Sequence, residues 1–114
     1  MNNTLENRAA VLKSLASAAD VARQAYMAAL QANVPGSDLS ELYCNEMAAA
    51  TIWSSADLKA LGPDPDIATA QHALDEAISS ARADLTSVKM ISDWVTRVTN
   101  LVNLATKVSK YFLA

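Results

Sequence analysis

Glycine and proline are scarce, two and three in 114 residues, and they gather in Val34-Pro35-Gly36-Ser37 and Gly62-Pro63-Asp64-Pro65, with none beyond Pro65. Both residues break helices, so their clustering marks two turns and leaves three uninterrupted segments. The single cysteine, Cys44, excludes an internal disulfide and the stapled scaffold of small secreted domains. Such a lone thiol is by default a small buried hydrophobe. His72 is the only histidine and makes an i,i+4 pair with Glu76, but no residue of suitable type completes a zinc site around it. A solvated pair and no metal are therefore expected. Cys44 has no histidine near it in sequence, neither glycine belongs to a phosphate-binding loop, and Asp64, Asp66, Asp75 and Glu76 cluster at a helix start where caps and dipole partners belong. These absences predict a chain with no catalytic residues and no cofactor, that is, no enzyme.

Basic runs are missing too, and with a pI near 4.9 nucleic acid is not expected as a ligand. No apolar stretch reaches the roughly eighteen residues of a membrane span. Met1-Asn2-Asn3-Thr4-Leu5-Glu6 carries neither the basic residues nor the apolar run of a signal peptide, so synthesis in a cytoplasm is expected, with signal-less export left open.

What the chain has in abundance is alanine: twenty-three residues, within an apolar fraction of 52%. Alanine is the best helix former and has a very small side chain, so the helices are expected to approach closely around a thin core. Aromatic residues are few: Tyr26, Tyr43, Trp53, Trp94, Tyr111 and Phe112. The length fits one domain. The net charge of −3 is segregated: residues 1–37 sum to +1, residues 38–76 to −7 and residues 77–114 to +3. Two readings follow from that pattern. Either the acidic second segment lies beside basic neighbours in the same chain, or it forms an acidic surface for a basic partner.

The spacing predicts an all-α fold, a helical hairpin plus a long C-terminal helix, continuous or broken, forming a three- or four-helix bundle over residues 1–114. Helices are expected at about 4–33, 38–61 and 65–112. Asn3 with Glu6 caps the first, which carries one stripe through Leu5, Ala9, Leu12, Ala16, Ala19, Tyr26 and Leu30. Val11, Leu15, Ala18, Val21, Ala22 and Ala25 widen it beyond a single seam, so this helix wants contacts on more than one side. The second starts at Ser37 or Asp38 and carries Leu39, Leu42, Tyr43, Met47, Ala50, Trp53, Leu58 and Leu61, with Ser54-Ser55 as a site of bending; Trp53 reads as a core filler. Asp64, Pro65 and Asp66 open the third, whose apolar series from Leu74 to Phe112 advances in steps of three or four.

At about 1.5 Å per residue these helices would be roughly 45, 36 and 74 Å long. The first two can cover only half of the third. Residues 91–114 are apolar on one side and mostly uncharged on the other, where Thr96, Thr99, Asn100, Asn103, Thr106 and Ser109 stand. Three outcomes are open: a break near Ser92-Asp93 that folds the tail back as a fourth helix, capture by a partner or a second copy, and insertion at a membrane interface with Lys107, Lys110 and Tyr111 near the headgroups.

Pro63-Asp64-Pro65 followed by Ser87-Val88-Lys89-Met90-Ile91-Ser92-Asp93 resembles the turn and long C-terminal helix of type III secretion needle subunits, over less than a third of the chain. The N-terminal helix is too long for that layout. The Trp-x-Gly turn of small secreted hairpins is not met by Trp53-Ser54-Ser55, and no family is assigned. The functional expectation is a non-enzymatic protein–protein interaction module, an assembly, chaperone or toxin-neutralising partner of bacterial type. It would bind a protein or a second copy, as a homo-oligomer, through Ile91, Trp94, Val95, Val98, Leu101, Val102, Val108 and Phe112. The alternative is a membrane-active protein inserting its C-terminal amphipathic helix.

Overall fold

The computed structural model describes residues 4–32, 35–62, 66–86 and 91–113; within these spans the side chains of Thr4, Leu5, Asp84, Leu85, Thr86, Ile91, Ser92 and Leu113 are not described. The chain is an all-α bundle of four helices: α1 (Thr4–Gln31), α2 (Gly36–Asp57), α3 (Ile67–Thr86) and α4 (Ile91–Ser109). Two short strands, β1 (Ala60–Leu61) and β2 (Phe112–Leu113), pair antiparallel with Leu61 opposite Phe112. The third predicted segment is thus two helices, α3 ending at Thr86 and α4 beginning at Ile91, in line with a break near Ser92-Asp93. Folding back shelters the apolar side of the tail that two shorter helices could not reach.

Helix α1 packs on α2, α3 and α4, and α4 likewise touches the other three, while α2 and α3 scarcely meet. In cross-section α1 and α4 therefore lie on the short diagonal, with α2 and α3 on opposite flanks. Small side chains permit this close diagonal approach. Between α1, α2 and α4 the core is Ala22, Ala25, Ala29, Ala49, Leu42 and three valines, Val95, Val98 and Val102. Toward α3 larger residues take over, with Leu15, Leu74, Ile78, Leu101 and Phe112. The wide apolar face predicted for α1 is used on several sides. Its core comes from the widening set, Val11, Leu15, Ala18, Val21, Ala22 and Ala25, whereas Leu12, Ala16, Ala19 and Tyr26 are only half-buried and Ala9 and Leu30 are exposed.

Helix α2 departs furthest from expectation. It begins at Gly36, with Pro35 (φ −53°, ψ 144°) in the capping position and the Pro35 carbonyl accepting from Leu39 N–H at 3.1 Å. Ser37 and Asp38 thus stand in the first turn and cap nothing. It runs straight through Ser54-Ser55 to Asp57, and Ala60–Leu61 leave the helix to form β1. Its buried face is Leu42, Ala49 and Ala56, with Asn45 and Ile52 half-buried between them, a 3-4-3-4 series. Most of the larger residues expected inside, Tyr43, Met47, Trp53 and Leu58, are exposed instead. Cys44 is exposed as well, not buried.

Polar contacts tie the flanks to the centre. The Ser14 hydroxyl, buried under α3, shares its proton between Asp75 Oδ1 (2.7 Å) and the Ala10 carbonyl (3.2 Å) and accepts from Gln71 Nε2 at 3.5 Å. Asn45 Nδ2 donates to Thr99 Oγ1 at 3.0 Å, joining α2 to α4. Arg8 donates to the Lys59 and Asp57 carbonyls at 3.0 and 2.6 Å, holding the start of α1 to the end of α2. Gly62 N–H donates to the Tyr111 carbonyl at 2.8 Å beside the β1–β2 pair, which anchors the chain end to the link before α3. The capping set Asp64-Pro65 lies outside the described residues; the Asp66 carbonyl accepts from Ala70 N–H at 3.1 Å.

Candidate interaction surface

The residues expected to meet a partner lie in the core. Trp94 is 4% exposed, Val98 2%, and Leu101 and Val108 are fully buried; Val95, Val102 and Phe112 are buried with them. Ile91 belongs to α4, but its side chain lies outside the described residues. These side chains lie inside the bundle rather than on its surface, because α1, α2 and α3 occupy the apolar side of α4. Among the described residues no helix is long and apolar enough to cross a membrane.

Apolar surface is exposed elsewhere, on the first hairpin. Met27 and Leu30 of α1 and Tyr43, Met47 and Trp53 of α2 are between 37% and 51% exposed, and Leu58 just past α2 is 88% exposed. Helical spacing gathers most of them on one side. On α1, positions 16, 19, 20, 23, 27 and 30 share a face, and on α2 so do positions 43, 46, 47, 50 and 53. The two faces meet in an open groove of about 500 Å³ lined by Ala16, Ala19, Asp20, Arg23, Glu46, Ala50 and Trp53. Three of these lining residues are alanines, and Trp53 is the one aromatic among them. Further along, the Tyr26 and Tyr43 rings meet at 5.3 Å and 55°, a tilted aromatic pair that stiffens the hairpin.

The α2 side of this flank carries charge of one sign. Helix α2 carries Asp38, Glu41, Glu46 and Asp57 and no lysine or arginine. Among the described residues none of these four carboxylates has an ion pair or a side-chain hydrogen bond. Basic residues of the same chain do stand beside α2, Arg8 at its Asp57 end and Arg23 in the groove with Glu46, though neither forms an ion pair with these four carboxylates. Across the groove, Asp20 accepts from Gln24 Nε2 at 2.9 Å and lies 4.0 Å from Arg82, and Arg23 is the one cation lining it.

His72 and Glu76 sit 3.1 Å apart on the exposed face of α3, and among the described residues no group of three or more histidine, cysteine or carboxylate side chains comes together. Nothing in the sequence pattern alone marked the α1–α2 groove. The signal that could have found it is the 42-45-49-52-56 series, which assigns the inside of α2 to its smaller residues and leaves Tyr43, Met47 and Trp53 without an inward position. Comparison with models of known families, with curated proteins and with solved structures gives no match, so the groove is read from its own geometry.

Proposed function

We propose that this chain is a non-enzymatic module that binds another protein chain through the α1–α2 flank, in the manner of an assembly, chaperone or toxin-neutralising partner. One observation carries the reading: α2 buries alanines and turns Tyr43, Met47 and Trp53 outward, beside Met27 and Leu30. An apolar patch with a concave centre and a polar rim is the usual form of a protein contact site, and half-exposed tryptophan, tyrosine and methionine are its usual anchors. Trp53 is the aromatic side chain that lines the groove itself and would serve as its anchor.

A photoreactive amino acid at Met47, compared with one at Ser80 on the far flank, tests this in cells that naturally express the chain. A discrete adduct is expected from position 47, absent from position 80 and lost when Trp53→Asp is added. Light scattering of the purified chain tells a second copy from a different protein. Adducts independent of position, together with a monomer at all concentrations, would sink the reading.

A further inference from the structure

We infer that the groove receives a basic amphipathic helix of a different protein, about four turns long; this rests on the protein-binding reading and adds the chemistry of the bound chain. Length comes first. The groove runs from Ala16 to Arg23 on α1 and from Glu46 to Trp53 on α2, about 10 Å on each, and the exposed Met27, Leu30, Tyr43 and Met47 continue the same flank to about 21 Å along α1. A helix lying along that flank presents side chains at i, i+3/i+4, i+7 and i+11, which would meet Ala16, Ala19, Ala50 and Trp53 in the groove and the exposed Met47 and Met27 beyond it. An extended strand has no unpaired backbone edge to add to here, because both walls are helices whose own hydrogen bonds are satisfied internally.

Charge then selects among helices. Asp20 and Glu46 line the groove with one cation, Arg23, and Asp57 stands one turn beyond Trp53 on the same face of α2; neither Glu46 nor Asp57 has an ion pair among the described residues. Lysine or arginine flanking the apolar stripe of an incoming helix would pair with these carboxylates and steer its approach. A second copy cannot supply such a helix. Among the described residues its exposed large apolar side chains belong to this same acidic hairpin or its end, whereas Arg97 and Lys107 ride on α4, with Lys110 just past it, and the apolar side of α4 is buried. An anionic bilayer would be repelled by α2.

Three synthetic peptides of about 18 residues, long enough to span the cleft, test this by amide chemical-shift titration of the intact chain. One has a leucine stripe flanked by lysine, the second the same stripe flanked by glutamate, and the third keeps the lysines with the leucines replaced by glutamine. Only the first is expected to bind, with shifts confined to α1 and α2. Its affinity should fall about tenfold for Trp53→Ala and again for Glu46→Lys with Asp57→Lys, and it should weaken as salt rises. Trp53 and Asp57 are exposed and Glu46 is half-buried, and far-UV circular dichroism checks that the fold persists. Equal binding of the glutamate-flanked peptide, binding of the leucine-free peptide, self-association through the same face, or binding to anionic vesicles in place of peptide would each overturn the inference. So would no binding at all. The photo-adducts from position 47 are scored separately, so a protein-binding flank that does not favour basic helices is distinguishable from a flank that binds nothing.

Discussion

The last turn of α2 carries no basic residue, although its unpaired carbonyls concentrate negative partial charge. Arg8, on a different helix, supplies the missing cation: its guanidinium reaches Lys59 O at 3.0 Å and Asp57 O at 2.6 Å. Hydrogen bonds from a charged donor are worth more than neutral ones, and partial exposure of this pair reduces that gain, so Arg8→Ala is expected to cost about 1–2 kcal/mol. Arg8→Lys should recover part of it, because an ammonium satisfies one carbonyl but lacks the fork that spans two. Urea denaturation followed at 222 nm measures both variants; an unchanged midpoint for the alanine variant would show the contact to be worth nothing. No local pattern in the sequence links Arg8 to a helix end some fifty positions away. Trp53 and Cys44 were misjudged for a related reason, since residue type alone does not say which apolar side chains end up inside.

Among the helices, α2 tests whether the core is as thin as its composition implies. Ala25 of α1 is fully buried and Ala49 of α2 is 2% exposed, both in the cluster that joins α1, α2 and α4, whereas Ala50, one residue on, lines the open groove. Adding three carbons at Ala25 forces the helices apart, so Ala25→Leu is expected to lower stability by about 1–3 kcal/mol. Ala50→Leu, adding the same volume over open space, should leave stability within about 0.5 kcal/mol. Thermal melts of the two variants decide it, and equal behaviour would mean that the close approach is not real. The helix boundaries at the two turns were legible because glycine and proline mark them. The end of α3 at Thr86 was not, since neither residue follows Pro65 and the apolar steps of three or four continue past it. The face of α2 was misread because several of its inward positions are alanine, whose weak apolar signal is outweighed by the tryptophan, tyrosine and methionines beside it; the groove went unseen with it.

For the whole molecule, α4 is the element on which the others close. It touches all three remaining helices and contributes to both core clusters, Leu101, Ala105 and Val108 to one and Val95, Val98 and Val102 to the other. Burying each large apolar side chain is worth about 1.5–3 kcal/mol, against a net stability of about 5–15 kcal/mol for a domain, so losing α4 removes more than the fold has to spare. If α4 were instead a docking arm on an independently folded hairpin, a chain ending at Met90 would stay a helical monomer and merely lose its partner. The bundle geometry predicts the opposite. The truncated chain should lose its cooperative thermal transition, bind a hydrophobic dye such as anilinonaphthalene sulfonate, and aggregate in light scattering, because Leu15, Val21, Leu42 and Leu74 lose the helix that covers them. Full-length Val98→Asp should fail in the same way, by placing an unpaired carboxylate where the native side chain is 2% exposed. A truncated chain that melts sharply and scatters as a monomer would show that the first three helices close a core of their own, and the diagonal packing of α1 on α4 would then not be what holds the molecule together.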